Sequence, residues 1–248
     1  MLSIITVTYN AEKHIERTIR SVLVQSYSDI EYIIIDGKST DRTVEIAKKF
    51  PNFQIISEQD CGLYDAMNKG LRLATGDFVW FVNAGDEIFA PDTAQNIADA
   101  LAKNPEADII YGQSLIVDEN GKPLGERHKI APEFLTKNSF LNGLVVCHQS
   151  ILVRKNIAQE YKLKYRVSAD YDWVLNAVSR SKKNIYMDEY LSKFMIAGVS
   201  AVNRKKSWQE RFLIMKKHFG LCKTLFAHGI IVLKYPFSRK CWINDLKI

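Results

Sequence analysis

Residues 3–36, SIITVTYNAEKHIERTIRSVLVQSYSDIEYIIID, decide the fold of this chain. Two runs rich in β-branched residues, 3–8 and 31–36, flank a segment in which apolar residues recur at helical spacing: Ile15, Ile19, Val22 and Leu23. Both runs are rich in apolar residues and neither alternates strictly between apolar and polar positions. They therefore predict strands that are buried on both faces, as in a parallel sheet between two layers of helices.

The same alternation continues for another fifty residues. Helices are expected from about Asp41 and from about Leu63, and strands over 53–57 and 78–82. In the helix from Leu63, residues Leu63, Met67 and Leu71 fall on one face and predict a core stripe. The first part of the chain thus reads βαβαβαβ, which is the pattern of a Rossmann-like α/β fold.

The alternation of predicted strands and helices becomes less regular after Pro91. A helix to about Asn104 and a strand over 107–111 precede the turn sequence at 118–123, which favours a hairpin. A further helix begins near Asp170, with its inward face formed by Tyr171, Val174, Leu175 and Val178. A regular nucleotide-binding half is therefore followed by a less regular half, which we expect to hold a second substrate.

Composition sets the limits of the interpretation. The 248 residues are 47% hydrophobic and 25% charged, as in an ordinary globular enzyme. The four cysteines form no CxxC pair and no zinc-like cluster, which favours reduced thiols. Residues 203–248 carry eleven lysines and arginines against two acidic residues, a net charge of 11 − 2 = +9, so the net positive charge of the chain comes from this segment and the rest is slightly acidic. We predict a domain over 1–202 and a basic helical C-terminal extension over 203–248.

The apolar run at residues 2–8 lacks the basic flank and the cleavage site of a secretory signal, so it is interpreted as a buried strand. The apolar run 229–233 is too short to cross a bilayer, which takes about 20 residues. We therefore expect a cytoplasmic protein, with peripheral contact to the inner membrane face as an open alternative.

Polar residues follow each predicted strand, at the edge where open parallel sheets bind their ligands. They are Thr8, Tyr9 and Asn10 after the first strand, Asp36 after the second, Glu58 to Asp60 after the third, and Asn83, Gly85 and Asp86 after the fourth. No GxGxxG or Walker lysine loop is present, which disfavours dinucleotide dehydrogenases and P-loop ATPases. An acidic edge facing a phosphorylated ligand indicates a bridging Mg²⁺ or Mn²⁺, and Asp86 is the first choice of ligand. Alternatively, Asp86 is a turn residue before the Pro91 helix.

Five ordered segments resemble one family. ITVTYNAEKHIERTIRSVLVQSYSDIEYIIIDGKSTDRT resembles the opening of glycosyltransferase family 2, whose members have the GT-A fold. EQDCGLYDAMNKGLRLATGDFVWFVNAGDEIF, CHQSILVR, SADYDWVL and LSKFMIAGVS are similar to a subgroup that acts in bacterial exopolysaccharide and colanic-acid-type synthesis. The resemblance covers roughly residues 1–200.

The resemblance implies roles for single residues. Tyr9 would stack on the nucleotide base, and Asp36 and Asp60 would lie near the base or ribose. Asn68, Lys69 and His148 would bind the donor, and Asp170 would be the catalytic base. Thr8, Asn10, Asn83 and Gly85 complete the expected donor site. The family's acidic D-x-D-D motif is reduced here to Asn83-Ala84-Gly85-Asp86, which leaves Asp86 as the metal ligand.

Each role has a plain structural alternative. Asp36 and Asp60 would be turn carboxylates, Lys69 would form a surface ion pair with Asp65, and His148 would be a satisfied buried side chain. Asp170 would stabilise a helix N-terminus, where a carboxylate is favourable.

The expected function is inverting, metal-dependent transfer of a sugar from a nucleotide-sugar, with UDP the expected nucleotide. The acceptor is a glycan or a lipid-linked molecule in cell-surface polysaccharide synthesis. One alternative is a sugar nucleotidyltransferase, which should carry a basic Gly-rich loop where this chain has Thr8 to Ala11. The other is a non-catalytic nucleotide-sugar-binding subunit, suggested by the reduced acidic motif.

Two segments near the end remain open. Residues 198–200, Gly-Val-Ser, are interpreted as a lid over the donor. In the basic extension, Trp208, Phe212, Met215 and Phe219 form a helical stripe that either packs on the domain or lies on an anionic membrane. Nucleic acid is not expected as a partner, because no helix-turn-helix, zinc-finger or RNP-like pattern is found.

Overall fold

A computed structural model describes residues 1–51, 53–196 and 204–230. The strands are β1 (Leu2–Thr8), β2 (Ile30–Asp36), β3 (Gln54–Ser57), β4 (Phe78–Phe81), β5 (Glu87–Ile88), β6 (Ile109–Val117), β7 (Pro123–Glu126), β8 (Ile151–Arg154) and β9 (Asn184–Met195). The helices are α1 (Ile15–Leu23), α2 (Thr43–Ala47), α3 (Leu63–Leu73), α4 (Thr93–Lys103), α5 (Ala169–Arg180), α6 (Arg204–Phe219) and α7 (residues 221–230). Short 3₁₀ turns cover Lys137–Asn142 and His148–Ser150.

The predicted βαβαβαβ half is confirmed. Strands β3, β2, β1 and β4 lie side by side and all run parallel, with α1, α2 and α3 as the connections between them. In the register of β1 and β2, Thr8 lies opposite Asp36, so both strands end at the same edge. The carboxyl ends of these strands therefore present their polar residues together.

The second half extends the same sheet in a different way. Strand β8 inserts antiparallel between β4 and β6, and β9 then pairs with β6 in parallel. The predicted hairpin at 118–123 is confirmed, because β6 and β7 pair antiparallel around it. The short β5 pairs with the end of β9, which brings Asp86 next to Met195. The result is an α/β fold in which one sheet of parallel and antiparallel strands is flanked by helices, as expected for the GT-A fold.

Apolar side chains from the two faces of the sheet form two separate cores. Ile4 lies in one core with α1 and α4, and Ile5 lies in the other with α3, α5 and α6. Helix α3 lies directly on β1, since a Cβ at Gly70 would be 2.5 Å from Ile5 Cγ2. Each fully buried aliphatic side chain of this kind stabilises the fold by roughly 1.5–3 kcal/mol.

Two details of the predicted helical faces were wrong. Leu63 is 37% exposed and lines a cavity, while the buried face of α3 is formed by Tyr64, Met67, Asn68 and Leu71. Leu23 is likewise exposed at the end of α1. Both residues lie at a helix terminus, where one side of the helix is no longer covered by the sheet. The predicted inward face of α5 is confirmed, because all four of its residues are buried.

The basic extension begins with a helix that packs on the body of the protein. Ile214 and Met215 of α6 are buried in the same core as α5. Asp172 of α5 accepts hydrogen bonds from Lys217 Nζ at 2.6 Å and from His218 Nε2 at 2.8 Å. A helical C-terminal region is thus confirmed up to residue 230, while the division at 202/203 stays a prediction and residues 231–248 lie outside the described chain. No helix in the described part of the chain combines the length and apolar character needed to span a bilayer.

The predicted aromatic stripe of α6 is divided between two neighbours. Met215 is buried against the body, whereas the rings of Trp208 and Phe212 lie 5.9 and 5.1 Å from the ring of His228 in α7. The most buried residues of α6 are Glu210, Ile214 and Met215, and of these only Met215 belongs to the predicted stripe. A charged residue on the buried face was not foreseen from the hydrophobic pattern.

Candidate functional site

A cavity of about 470 Å³ opens between the two halves. Its walls come from the start of α3, the end of β4, the β6–β7 hairpin and the residues after it, the 3₁₀ turn before β8, and helices α5 and α6. Among the predicted site residues, the cavity brings together Asn83, His148 and Asp170.

Asp170 lies at the first turn of α5, on the cavity wall. Its Oδ1 accepts a hydrogen bond from the Tyr171 backbone N–H at 2.9 Å, and the Tyr64 hydroxyl lies 3.2 Å from the same oxygen. No described residue hydrogen-bonds to Oδ2. Burial raises the pKa of Asp170, although these hydrogen bonds and the charges of Arg211 and Arg127 act in the opposite direction. The carboxylate is therefore held in place through one oxygen and is more basic than an exposed aspartate.

The predicted residues at the end of β1 lie at a second, more open part of the site. The Thr8 hydroxyl is buried and has no hydrogen-bond partner among the described residues. Tyr9 is 64% exposed, although its ring lies next to Gly37. Asn10 adopts φ of 47° and binds the loop after β2 by accepting from Thr40 N at 2.9 Å. An exposed ring beside an unsatisfied hydroxyl is a suitable surface for a flat polar ligand.

Asp36 is fully buried at the end of β2. Its Oδ2 accepts hydrogen bonds from Ser39 N at 3.0 Å and from Ser57 Oγ at 2.6 Å. Asp60 accepts a hydrogen bond from Gly62 N at 2.8 Å. A Cβ added at Gly37 would lie only 2.5 Å from Asp60 Oδ2, so glycine is needed at position 37. Both aspartates therefore accept hydrogen bonds within turns, as their structural alternative predicts. The absence of a side chain at Gly37 leaves room for Asp60 and Tyr9 on either side of it. Contact of Asp36 and Asp60 with a donor stays a prediction.

The reduced acidic motif lies between the two halves. Asp86 is buried, and its oxygens accept hydrogen bonds from Gln149 Nε2 at 2.8 Å and from Met195 N at 2.9 Å. Burial raises the pKa of Asp86 to about 7, against the lowering effect of these hydrogen bonds. Gly85 has φ of 103°, which favours glycine, and its carbonyl accepts from Arg17. The segment therefore ties the end of β4 to the end of β9.

The family is decided by comparison with known proteins. The model of "Glycosyl transferase family 2" matches residues 3–162. The chain belongs to glycosyltransferase family 2. This family membership assigns glycosyl transfer as the general activity of the chain.

Curated relatives agree with that assignment. Over 187 residues the chain is 32% identical to a PGL/p-HBAD biosynthesis glycosyltransferase of Mycobacterium bovis, covering 72% of this chain and 70% of the relative. It is 25% identical over 244 residues to an uncharacterized glycosyltransferase of Methanocaldococcus jannaschii, covering 91% of this chain and 83% of that protein.

Solved structures with the same fold include S. aureus TarS and a mannosyltransferase. S. aureus TarS 1-349 in complex with UDP-GlcNAc has a TM-score of 0.72 and 19% identity, with 99% of this chain and 79% of that chain covered. The mannosyltransferase PcManGT of Pyrobaculum calidifontis, in complex with GDP-Man and Mn²⁺, has a TM-score of 0.66 and 17% identity, with 98% and 73% covered. These likenesses confirm the GT-A fold.

Two residues that a family 2 enzyme would place near its donor have structural partners here. The side-chain amide of Asn68 is buried and both donates to and accepts from the Tyr161 backbone, at 2.9 and 2.7 Å. Lys69 pairs with Glu58 at 2.8 Å and not with Asp65, so the structural alternative of an i,i+4 ion pair with Asp65 was wrong. Asp65 instead accepts from the Cys61 backbone N–H. Donor contact by Asn68 and Lys69 stays a prediction, and Asn68 is better described as a brace between α3 and the chain before α5.

His148 lies on the cavity wall inside a cluster of aromatic rings. Its Nε2 is 2.7 Å from the Tyr161 hydroxyl, and its ring lies 5.4 Å from those of Phe81 and Trp173. Burial lowers the pKa of His148 to about 4, so the imidazole is neutral at pH 7. It can donate or accept a hydrogen bond in the cavity, but it does not supply positive charge to a phosphate.

Few of the described side chains near the reduced motif could hold a divalent cation. Within residues 1–51, 53–196 and 204–230, no group of three or more His, Cys, Asp or Glu side chains is arranged to hold a metal. Asn83 Oδ1, however, is buried and accepts no hydrogen bond from a described residue. It and the Asp86 carboxylate are hard oxygen donors of the kind that Mg²⁺ and Mn²⁺ prefer. An ion at this position would have to share the Asp86 oxygens with Gln149 Nε2 and the Met195 N–H, and Asp86 does not line the cavity. A metal site at Asn83 and Asp86 therefore stays a prediction.

Several cavity residues were not foreseen from the sequence. Arg127 and Lys129, which follow the hairpin, and Arg211 of α6 lie on the cavity wall. Glu210 accepts hydrogen bonds from the backbone N–H groups of Arg166, Val167 and Ser168, at 2.7, 2.9 and 2.9 Å. The run of charged and ionisable residues at 126–129 could have indicated a basic site, whereas nothing in the sequence pattern of α6 predicts that Glu210 is buried. The predicted lid at 198–200 lies outside the described residues.

Proposed function

We propose that this protein transfers a sugar from a UDP-sugar to a hydroxyl group of a glycan or lipid-linked acceptor, with inversion at the anomeric carbon. The observation that carries the proposal is the position of Asp170. It is the one predicted catalytic residue, and it lies on the wall of the cavity between the two halves with one carboxylate oxygen already held.

The donor end of the proposal rests on the edge formed by β1, β2 and β4. Its unsatisfied polar atoms, Thr8 Oγ1 and Asn83 Oδ1, belong to residues that the sequence assigns to the donor. Buried polar atoms without a partner are costly, so a ligand that hydrogen-bonds to them would be favoured. The TarS complexes with UDP and UDP-GlcNAc support UDP as the nucleotide, and the PcManGT complex with GDP-Man makes GDP the comparison in any test.

For the chemical step, Asp170 would take the proton of the acceptor hydroxyl through Oδ2 as that hydroxyl attacks the anomeric carbon. Tyr64 and the Tyr171 N–H orient the carboxylate through Oδ1. The pKa of Asp170, raised by burial, makes it a stronger base than an exposed aspartate. A single base and a single displacement give inversion, so an α-linked donor should give a β-linked product.

Asn83 and Asp86 would hold Mg²⁺ or Mn²⁺. Such an ion, when bound, stabilises the negative charge of the departing diphosphate. Asp86 also joins the two halves through Gln149 and Met195, so the same carboxylate would couple donor binding to the position of β9. The Mn²⁺ in the PcManGT complex supports a metal-dependent reaction.

A cell-surface acceptor is supported by a relative named for PGL/p-HBAD biosynthesis, and the exopolysaccharide subgroup stays a prediction. Large apolar side chains are exposed on α6 and α7: Trp208, Leu213, Leu221, Leu225 and Phe226. Together with the lysines of the extension, they support peripheral contact with an anionic membrane. Flotation with vesicles containing anionic lipid tests this. Binding at low salt that is reduced by Leu225→Ser with Phe226→Ser supports it, and no binding by the wild type contradicts it.

The catalytic proposal is tested by thermal shift and by nucleotide release. A panel of UDP- and GDP-sugars is added with and without Mn²⁺, and the true donor should raise the melting temperature and release nucleotide. Asp170→Asn should keep the thermal shift and lose the release. Stabilisation without any release by the wild type would identify a binding subunit, and absence of both would remove the donor assignment.

A further inference from the structure

Three basic groups converge on one part of the cavity wall, and none of them forms a salt bridge with a described acidic side chain. Arg127 and Lys129 come from the chain after β7, and Arg211 comes from α6, more than eighty residues later. Their fixed hydrogen bonds are made to neutral carbonyl oxygens, with Arg127 donating to Leu144 and Val145 and Lys129 donating to Asn142.

Gly143 shows how closely these groups approach. A Cβ at this position would lie 1.9 Å from Arg211 Nη2 and 2.7 Å from Lys129 Nζ, so both nitrogens occupy the space that a side chain would take. Gly143 also has φ of 99°, which few residues other than glycine adopt. Burial, followed by the charges of Arg211 and Arg127, lowers the pKa of Lys129 to about 7. Such mutual repulsion raises the free energy of the unliganded site and is relieved by an anion.

The position of the cluster relative to Asp170 indicates which substrate it faces. Arg211 and Arg127 are near enough to Asp170 to influence its pKa, and the Arg211 guanidinium lies 5.8 Å from the centre of the Tyr171 ring. The base must touch the acceptor hydroxyl, so a group beside the base faces the acceptor. Tyr9 and Asp60, which are assigned to the nucleotide base and ribose, lie at the β1–β2 edge and do not line this cavity. The predicted donor residues Asn83 and His148 do line it, so the donor diphosphate is the competing anion.

We infer that Arg127, Lys129 and Arg211 bind a phosphate group of the acceptor, which is therefore a phosphate monoester or diphosphate rather than a neutral glycan. Arg127 and Arg211 are permanently charged, an anion beside Lys129 would favour its protonated form, and guanidinium groups match phosphate oxygens in geometry. This inference rests on the proposed function, because it takes Asp170 as the base. The other source of phosphate is the donor diphosphate, and the test distinguishes the two.

The test measures binding of inorganic phosphate by calorimetry to the full-length protein, alone and saturated with UDP, with and without Mn²⁺. If the cluster serves the acceptor, phosphate binds to the UDP-saturated protein. Arg211→Gln and Lys129→Met should each weaken that binding about tenfold, while Arg211→Lys retains part of it. Lys206→Met removes a lysine from the exposed side of the same helix and should change nothing. Lys129→Met keeps the test valid if Arg211→Gln does not fold.

Two results would overturn the inference. Competition between UDP and phosphate, together with weaker UDP binding by Arg211→Gln, would assign the cluster to the donor. Phosphate binding that none of the variants changes would be an adventitious ion only. Failure of the proposed function looks different, since then no nucleotide-sugar stabilises the protein and none is turned over.

A matching activity measurement compares an octyl glycoside with the corresponding glycosyl octyl diphosphate. The wild type should prefer the diphosphate in kcat/KM, and Arg211→Gln should lose that preference.

Discussion

The two halves of the sheet use charge in opposite ways. At the end of β2, Asp36 accepts hydrogen bonds from the Ser39 backbone N–H and the Ser57 hydroxyl, which lie 3 and 21 residues away in sequence. Across the cavity, Arg127, Lys129 and Arg211 lie together without a carboxylate partner among the described residues, and Arg211 comes from a distant helix. The half built on β1–β4, which we propose binds the nucleotide (the nucleotide half), is thus completed by contacts over shorter sequence distances. The half built on β6–β9, α5 and α6, which we propose binds the acceptor (the acceptor half), is assembled by long-range contacts and keeps unpaired positive charge among the described residues.

The strongest test of this comparison removes the base from the acceptor half. Asp170→Asn should lower kcat by about 10²–10⁴-fold, because the amide cannot take the proton of the acceptor hydroxyl. UDP binding, measured by calorimetry, should stay within about twofold, because the nucleotide half is unchanged. Loss of UDP binding together with loss of turnover would show that the halves are not independent.

Asp86 connects the halves, so its removal should affect both. Asp86→Ala deletes a predicted metal ligand and leaves Gln149 and the Met195 N–H without their acceptor. We expect transfer to fall by roughly 10²-fold, in line with the loss of one charge-stabilising group. Mn²⁺ should no longer increase the thermal shift caused by UDP. Asp99→Ala, an exposed carboxylate on α4, is the matched control, and equal effects of the two variants would contradict the assignment.

Long-range assembly of the acceptor half is tested at Glu210. Glu210→Ala leaves three backbone N–H groups before α5 without their acceptor, which should cost about 2–3 kcal/mol in the free energy of unfolding. Urea unfolding measures this cost, and Gln209→Ala on the exposed side of the helix should cost almost nothing. kcat should fall more than UDP affinity, since the segment 166–168 positions Asp170. An unchanged unfolding free energy would show that α6 is an appendage.

The attachment of α6 also makes stability depend on pH. Burial would raise the pKa of Asp172, but hydrogen bonds from His218 and Lys217 outweigh it and lower the pKa to about 2. A depressed pKa stabilises the fold above the ordinary aspartate value near pH 4, and this stabilisation is lost as the pH falls towards 2. Allowing for solvent screening, about 1–2 kcal/mol should disappear over that range. Asp172→Asn should show a shallower loss in urea unfolding at pH 4 and pH 2.5, and an identical slope would contradict the role of this pair.

The smallest expected effect lies at the open edge of the nucleotide half. Tyr9→Ala should weaken UDP binding about fivefold, because it removes an exposed ring that is proposed to stack on the base. Tyr9→Phe keeps the ring and should bind UDP normally. Calorimetry on both variants is sufficient, and equal weakening would assign the effect to the hydroxyl group.

The sequence predicted the nucleotide half well because its contacts are local. Buried runs such as 31–36 predict strands from composition alone, and parallel order follows when helices connect them. The place of β8 could not be predicted in this way. Ile151–Arg154 is short, and its antiparallel insertion between β4 and β6 depends on partners far away in sequence.

Side-chain partners were harder to predict than elements. The structural alternative for Lys69 was an ion pair with Asp65 on its own helix, yet Lys69 reaches Glu58, which follows β3. Glu210 is one of few acidic residues in a basic segment, and nothing in the sequence marks it as buried. In the structure it is buried, and its carboxylate accepts hydrogen bonds from three backbone N–H groups. Periodicity reports which face of a helix is apolar, and it contains no information about which distant backbone a charged side chain will meet.

The central claim is that Asp170 acts as a single base across the cavity from the donor edge. It is tested most directly by the stereochemistry of the product. An α-linked UDP-sugar that proves to be the donor is incubated with an acceptor, and the new linkage is assigned by ¹H NMR from the anomeric coupling constant. A β-linked product, formed by the wild type and not by Asp170→Asn, is the predicted result. An α-linked product, or a β-linked product formed equally well by Asp170→Asn, would contradict the account.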